Sequence, residues 1–221
     1  MEKLTEMRTF FNELAQEYDK RITGKADADM EGKQLVASFL PPHTRSIIDF
    51  GIGTGLELGA IFARFPEAEV TGLDIAEDML HVLKSKYPNR NLRLCCENYH
   101  DYDFGREQYD AALSIKTFHH YGHSVKTALY QRIHSCLKAD GVYIECDKMA
   151  FDQAEEDFHF AEYERLKHMQ GICDNQAYHF DTPCTVSNQI KMLYAAGFSN
   201  VNEAWRKEST RGLIVILVAK K

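Results

Sequence analysis

Several features that would assign this 221-residue chain to other protein classes are missing from it. No apolar run approaches the roughly 20 residues that span a bilayer, and the charged segment 1–11 does not resemble a signal sequence. We therefore expect no membrane span and a cytoplasmic location. The six cysteines form no CxxC pair, so neither a disulfide framework nor a zinc framework is expected.

Clustered positive charge is missing as well. The net charge is −7, and no basic run is longer than the pair Lys220–Lys221. Nucleic-acid binding needs clustered Lys and Arg side chains that neutralise phosphates. We therefore expect no nucleic-acid partner, although a small basic pocket is compatible with this composition.

The sequence does contain short apolar runs that alternate with helical patterns. The runs predict strands at 46–50, 69–74, 91–95, 109–114 and 142–146. Strands that alternate with helices are typical of βα units and a parallel sheet. Two further strands, 200–207 and 212–220, are joined by a short turn that demands antiparallel pairing.

The length and the 44% hydrophobic content favour one domain over residues 1–221. Residues 1–40 predict a helix, a loop and a second helix ahead of the sheet, which we interpret as a helical lid. The charged and aromatic stretch 151–182 predicts a helical insertion after the fifth strand. Ser124 is predicted to cap the helix before that strand, and the turn Lys138–Gly141 to end it.

Three glycines alternate in the turn that follows the first strand, Asp49-Phe50-Gly51-Ile52-Gly53-Thr54-Gly55. Glycines at these positions allow a ligand to approach the backbone closely. The NAD fingerprint GxGxxG requires a third glycine where Leu56 stands, so a dehydrogenase is disfavoured. Asp49, two residues before the first glycine, suits a ligand with a cationic amino-acid end.

A second acid, Asp74, ends the second strand. A carboxylate at this place can accept hydrogen bonds from both ribose hydroxyls of an adenosine that lies across the sheet. The alternative interpretation is a helix cap, because Asp is common at that position.

These segments resemble the successive motifs of class I S-adenosylmethionine-dependent methyltransferases. The matching segments are 49–55, 73–75 with Met79, 98–99, 114–120 and 137–141, and the resemblance extends over about residues 10–220. It implies an α/β fold, Rossmann-like and doubly wound, with a mostly parallel seven-stranded sheet whose last strand is antiparallel. It also implies S-adenosyl-L-methionine as cofactor and methyl transfer to a small-molecule substrate.

The resemblance implies a role for each matched residue. Asp49 and the turn glycines, Gly51, Gly53 and Gly55, would hold the methionine part of the cofactor, and Asp74 its ribose. Ile75 and Met79 would pack on adenine, and Ser114 would complete the cofactor site. Asn98 stands where the family usually has an Asp that binds the adenine amino group, with the Tyr99 backbone beside it; an amide can accept the same bond.

The acceptor side is less well marked. Segment 114–120 resembles the serine and paired histidines of small-molecule methyltransferases and lacks the Asn-Pro-Pro-Tyr signature of many enzymes that methylate bases or glutamine. His119 and His120 are candidate catalytic residues, because imidazole takes a proton near neutral pH. Tyr18 is a third candidate, from an amino-terminal Tyr-Asp common in the family. The alternatives are wall residues for the histidines and simple helix docking for Tyr18.

We expect no metal, since adjacent histidines do not easily face one ion and no third ligand is spaced nearby.

Two alternative functions stay open. A carboxy-S-adenosylmethionine synthase is suggested by the segments 193–198 and 212–218 with Trp205, and would need a pocket arginine such as Arg206 or Arg211. A protein that binds the cofactor without turnover would keep the glycine turn and Asp74. The acceptor and the oligomeric state, including a homodimer, are left open.

Overall fold

The computed structural model describes residues 3–23, 28–172, 177–209 and 212–221. It contains the strands β1 (Ser46–Phe50), β2 (Glu69–Asp74), β3 (Leu92–Cys96), β4 (Tyr109–Ile115), β5 (Leu137–Met149), β6 (Asn200–Ser209) and β7 (Gly212–Lys220). They form one sheet in the order β3-β2-β1-β4-β5-β7-β6. β1 to β5 pair in parallel, whereas β7 is antiparallel to both β5 and β6. The predicted seven-stranded sheet with an antiparallel last strand is confirmed.

Seven helices accompany the sheet within the described residues. They are α1 (Met7–Thr23), α2 (Ala28–Phe39), α3 (Leu58–Arg64), α4 (Glu77–Lys86), α5 (His123–Cys136), α6 (Gln153–Gln170) and α7 (Val186–Ala195). The side chain of Asp152 caps α6, and Gly171, with φ of 65°, ends it. No helix in the described part of the chain is long and apolar enough to cross a bilayer.

The sheet is buried on both faces, as the alternating apolar side chains of β1 illustrate. Ile48 and Phe50 pack in one apolar layer with residues of α5 and α7, whereas Ile47 packs in the opposite layer with residues of α2 and α3. Successive side chains of a strand point to opposite faces, and sheets covered on both faces need apolar runs. The carboxyl ends of β1, β2 and β4 consequently meet at one edge of the sheet, where ligands bind in such folds.

Two local predictions are wrong. α5 begins at His123 after Gly122, and Ser124 lies inside its first turn instead of capping it. The predicted turn Lys138–Gly141 belongs to the range of β5: Leu137 pairs with Tyr109, and the next pair joins Val142 to Ala111. The four residues between these pairs form an irregularity in the ladder, so the strand begins before the turn that was expected to precede it.

α6 occupies part of the predicted insertion. Residues 178–184, which we call the return segment, follow it without regular structure and run beside a short 3₁₀ helix, Phe118–His120. The backbone N–H of Thr182 donates to the carbonyl of His119 at 2.6 Å, and the N–H of Ala150 donates to the carbonyl of Cys184 at 3.0 Å. These bonds hold the return segment against the ends of β4 and β5.

Candidate functional site

The backbone φ angles in the glycine turn are ones that favour glycine over other residues. Gly51, Gly53 and Gly55 have φ angles of 67°, 53° and 66°. A Cβ on Gly51 would lie 2.0 Å from the Thr117 hydroxyl oxygen, so a larger residue does not fit there. At Gly53 the nearest atom to such a Cβ is 4.0 Å away. The middle of the turn is therefore open to an approaching group.

Asp74 is held between the glycine turn and the start of α4. Its Oδ2 accepts a hydrogen bond from the N–H of Gly53, and its Oδ1 one from the N–H of Ala76, both at 2.8 Å. Burial raises the pKa of this carboxyl to about 6, although these two N–H groups favour ionisation. A carboxylate has about four acceptor positions. The N–H groups of Gly53 and Ala76 use two of them, and the N–H of Ile75 also favours the ionised form, so the remaining capacity can accept hydroxyl donors.

A first cavity lies in front of the glycine turn. It brings together most of the predicted cofactor residues and two of the predicted catalytic ones: Gly51, Gly53, Gly55, Asp74, Ile75, Met79, Asn98, Tyr99, Tyr18 and His120. The sequence signals therefore converge in space, although they are spread over a long stretch of chain.

Asp49 and Ser114 lie outside the lining of the first cavity. The hydroxyl of Ser114 hydrogen-bonds that of Tyr143 at 2.6 Å. Asp49 is 1% exposed, and neither of its carboxylate oxygens has a hydrogen-bond partner among the described residues. Burial and the nearby Glu57 raise the pKa of Asp49 well above its usual value, although Lys33 opposes this. The cofactor roles of Asp49 and Ser114 stay predictions.

α1 covers the open side of the first cavity. Phe11, Leu14 and Tyr18 pack on α4, against a small cluster that includes Met79. Lys86 of α4 donates to the Asp19 carboxylate at 2.7 Å, which adds a charged contact between the two helices. Packing and charge therefore both hold α1 over the glycine turn.

A second cavity adjoins the first and shares Phe11, Tyr18, Lys33, Lys116 and His120 with it. One wall is apolar and comes from α1. The other is polar and comes from the ends of β4 and β5 and from the return segment: Lys116, His119, His120, Lys148, His179 and Asp181. The shape and chemistry suit an amphipathic small molecule beside the first cavity.

His119 lies between two carboxylates. Its Nδ1 is 2.5 Å from Asp147 Oδ1, and its Nε2 is 3.3 Å from Asp181 Oδ1. Burial disfavours the charged ring, but Asp147 and Asp181 outweigh burial and raise the pKa of His119. His119 lines the second cavity and not the first.

His120 is in the opposite electrostatic situation. Burial and the neighbouring His119 lower its pKa to about 3, and its Nδ1 lies 3.0 Å from the carbonyl oxygen of Phe180. Because a carbonyl can only accept, this contact assigns the ring proton to Nδ1. The two adjacent histidines therefore have opposite pKa shifts.

Three residues of this region carry no signal in the sequence that predicts their place in the site. Asp147 lies near the end of β5, where nothing in the sequence distinguishes it from other acidic strand residues, and Asp181 lies in the irregular return segment, where no spacing marks it. Lys116 has a φ of 59°, an unusual value for a non-glycine residue, and lines both cavities. Its Nζ lies 3.4 Å from Asp29 of α2. Backbone strain of this kind cannot be inferred from composition.

Comparison with known proteins supports the resemblance seen in the sequence. Residues 47–141 match a family model described as a methyltransferase domain. Residues 47–141 therefore belong to a methyltransferase domain, in agreement with the resemblance to class I S-adenosylmethionine-dependent methyltransferases. The matched residues include the glycine turn, Asp74 and both histidines of the 3₁₀ helix.

Curated relatives agree with this family. The chain is 27% identical over 137 residues to a malonyl-[acyl-carrier protein] O-methyltransferase from Acetivibrio thermocellus, covering 62% of this chain and 47% of that protein. It is 46% identical over 43 residues to a demethylmenaquinone methyltransferase from Chlorobaculum parvum, covering 20% and 17% of the two chains. The chain thus spans about half the length of the first of these relatives.

Solved structures share the fold of this chain over nearly its whole length. A putative O-methyltransferase from Nostoc punctiforme superposes with a TM-score of 0.70 at 20% identity, over 99% of this chain and 62% of that one. The 1,6-didemethyltoxoflavin-N1-methyltransferase of Burkholderia thailandensis, solved with bound 1,6-didemethyltoxoflavin and S-adenosylhomocysteine, gives a TM-score of 0.67 at 18% identity, over 97% of this chain and 87% of that one. At these identities the likeness concerns the fold.

Proposed function

We propose that this chain binds S-adenosylmethionine in the first cavity and transfers its methyl group to a small molecule held in the second. The observation that carries the proposal is the position of Asp74 next to the glycine turn, with free acceptor capacity towards the cavity. The family match over residues 47–141 supports the same conclusion independently.

The residues present fit this cofactor. Asp49 is a buried carboxylate without a described hydrogen-bond partner, which a cationic amino group near the turn would compensate. The open side of Gly53 leaves room for the methionine end of the cofactor. Asp74 would accept the ribose hydroxyls, and Ile75 and Met79 provide an apolar wall for adenine.

Asn98 also fits its proposed role. Its Oδ1 already accepts a hydrogen bond from the N–H of His100 at 3.0 Å. An amide oxygen has two acceptor positions, so one remains for the adenine amino group. The departure from the family's usual Asp removes a charge and keeps an acceptor.

S-adenosylmethionine supplies an activated methyl group when bound, so the protein's own contribution is alignment and the exclusion of water. The apolar face of α1 closes both cavities from one side. Tyr18 and His120 line both cavities and stand where donor and acceptor would meet, and His119 lies behind them. We assign these three residues to the acceptor side.

The rival function as a carboxy-S-adenosylmethionine synthase lacks its expected arginine among the described residues. Arg206 lies on β6, is half-exposed and pairs with Glu203 at 2.7 Å, away from both cavities. Arg211 lies outside the described residues. A protein that binds the cofactor without turnover is the remaining rival, and the experiment below separates it from an enzyme.

Thermal melting with added ligand tests the cofactor. A ligand at a hundredfold excess over its Kd stabilises a native protein by about 2.7 kcal/mol. We expect S-adenosylhomocysteine to raise the melting temperature and NAD to leave it unchanged. An equal shift with both ligands contradicts the proposal. Screening small-molecule acceptors by mass spectrometry for S-adenosylhomocysteine formation then distinguishes an enzyme from a non-catalytic binder.

Three further expectations stay predictions: the cytoplasmic location, the lack of a nucleic-acid partner and a homodimer.

A further inference from the structure

We propose that this chain binds a divalent transition-metal ion through His119, His120 and Asp181, at the polar wall of the second cavity. One potential ligand atom from each of these residues lies within 4.8 Å of the other two. The 3₁₀ helix brings the adjacent imidazole rings to a centroid distance of 4.0 Å, and the return segment supplies the carboxylate. The expectation of no metal assumed that the adjacent histidines cannot face one ion and that no third ligand is nearby. The positions of the two rings and of Asp181 differ from both assumptions.

The distances within the cluster suit ligands that share an ion. Asp181 Oδ1 lies 3.3 Å from His119 Nε2, longer than the usual N–H···O distance of about 2.9 Å. Two atoms that are each about 2.1 Å from one metal ion and 3.3 Å apart subtend an angle of about 104° at that ion. This angle lies between the octahedral and tetrahedral values.

Two of the three side chains are also fixed by a partner on their other atom, and His120 is held through Nδ1. Asp147 Oδ1 lies 2.5 Å from His119 Nδ1. His120 Nδ1 lies 3.0 Å from the Phe180 carbonyl and 3.7 Å from Asp181 Oδ1, so Nε2 is the His120 atom that stays available to an ion. Lys148 donates to Asp181 Oδ2 at 3.0 Å, which leaves Oδ1 directed towards His119. Metal-binding histidines and carboxylates in proteins are normally held in this way. The outer partners form an observation independent of the ligand distances.

Burial and access are consistent with a binding site. His119 and His120 are buried, whereas the side chain of Asp181 is 34% exposed and lines the second cavity. An ion can therefore enter from the cavity, and its remaining coordination positions would face it. Two imidazoles and one carboxylate are a donor set that suits Zn²⁺, Fe²⁺ and Co²⁺ better than Mg²⁺ or Ca²⁺.

A second cluster of similar composition offers an internal comparison. His123, Glu156 and Cys184 also place potential ligand atoms within 4.8 Å of one another. The Glu156 oxygens, however, already accept from the Thr185 N–H, the Asn188 amide and the His123 ring. A carboxylate engaged in this way has little capacity left for an ion. We therefore expect no metal at this cluster.

The role of the ion rests on the proposed methyl transfer, although its binding does not. The first and second cavities share His120 and Tyr18, so an ion at this site would lie beside the proposed methyl acceptor. A divalent ion with open positions can hold a hydroxyl, enolate or carboxylate oxygen in a fixed orientation. The acceptor class that follows is a small molecule with an oxygen donor near the methylated atom.

Titration of the chelator-treated full chain with Co²⁺ tests the site. We expect one Co²⁺ per chain and visible absorption bands of a nitrogen- and oxygen-coordinated ion, with competition by Zn²⁺. Asp181→Asn should weaken Co²⁺ binding at least tenfold, because it removes the anionic ligand and nearly preserves the side-chain shape. His123→Ala, at the second cluster, should leave Co²⁺ binding unchanged.

The thermal shift with S-adenosylhomocysteine reports whether each variant is folded, and it separates a failure of the metal site from a failure of the proposed cofactor. Two results would overturn the metal proposal. One is a wild-type protein that shows the S-adenosylhomocysteine shift and binds no Co²⁺ at millimolar concentration. The other is a Co²⁺ spectrum that persists in a folded Asp181→Asn variant, or that carries the thiolate charge-transfer band expected if Cys184 were a ligand.

Discussion

Asp19 of α1 accepts a hydrogen bond from the hydroxyl of Thr54, in the middle of the glycine turn, at 2.5 Å. Lys86 donates to the other oxygen of Asp19 at 2.7 Å and to the carbonyl of Thr54 at the same distance. Three elements, α1, the turn and α4, are joined at this point. The helix that covers the first cavity is therefore fastened directly to the turn that forms its floor.

Asp19→Asn tests this fastening. The amide keeps an acceptor for Thr54 but loses the charge that attracts Lys86, so we expect S-adenosylhomocysteine to dissociate several-fold faster. The melting temperature of the unliganded protein should change little, because the ion pair is partly exposed and such pairs contribute about 1 kcal/mol or less. Stopped-flow binding and thermal unfolding measure the two effects. Glu17→Gln on the same helix, whose exposed partner is Lys20, is the matched control. Equal dissociation rates in both variants would contradict the role of Asp19.

Deletion of residues 1–21 tests whether α1 acts as a lid. The buried layers of the sheet are formed mainly by residues after α1, so we expect the truncated chain to stay folded and to lose methyl transfer to an acceptor found by screening. Circular dichroism, thermal unfolding and turnover are the measurements. If the shortened protein aggregates, α1 is part of the core; if it retains full turnover, Tyr18 has no catalytic role.

Asp74→Ala should weaken S-adenosylhomocysteine binding about tenfold or more, because hydrogen bonds to a charged group contribute about 1.5 to 3 kcal/mol. Calorimetry on the folded variant measures the change. Unchanged affinity would mean that Asp74 serves as a helix cap.

The pH dependence gives a separate test of Asp74. Its pKa of about 6 in the folded protein lies above the ordinary 3.8, so the folded state holds this proton more tightly than the unfolded state. The contribution of Asp74 to stability therefore decreases as the pH rises from about 4 to about 6. Ligand affinity should move in the opposite direction, because the ionised carboxylate is the better acceptor for two hydroxyls. Asp74→Asn should remove both trends; a variant that keeps them points to another group.

Gly51→Ala and Gly53→Ala form a matched pair. Both place alanine at a positive φ, which costs about 1–2 kcal/mol. Gly51→Ala adds a clash with the Thr117 hydroxyl, whose oxygen would lie 2.0 Å from the new Cβ. We expect it to lower the melting temperature clearly more than Gly53→Ala. Gly53→Ala should instead chiefly weaken S-adenosylhomocysteine binding, since its methyl group enters the cavity. Similar melting temperatures for the two variants would refute this account of the turn.

Asp49→Asn should stabilise the unliganded protein and weaken cofactor binding. A buried carboxylate without a described partner is costly, and a neutral amide costs less. The raised pKa of Asp49 means that ionisation opposes folding as the pH rises, so the stability gained by the variant should grow with pH. Melting curves between pH 5 and about 9 and calorimetry with S-adenosylmethionine measure both effects. A variant less stable than wild type throughout would show that Asp49 has a structural partner.

Much of the sheet could be predicted from the sequence, because the spacing of apolar residues and the residues of the turns indicate each strand within a short stretch of chain. The glycine turn and Asp74 are recognisable because each stands at the carboxyl end of a buried strand, and the carboxyl ends of neighbouring parallel strands meet at one edge of the sheet. Asp147 and Asp181 were not predicted, because His119 meets them through the sheet and the return segment. The left-handed backbone of Lys116 and the contact of Asp19 with Thr54 depend in the same way on tertiary packing.

The position of β7 has a consequence for how the chain acquires its fold on the ribosome. β7 lies between β5 and β6 in the sheet although it follows both in the sequence. Until β7 has been synthesised, β5 presents a row of unpaired N–H and C=O groups along an apolar edge, and β6 has no neighbour in its own sheet. The nascent protein therefore passes through a stage at which an open strand edge can recruit other chains, and it leaves that stage when β7 inserts.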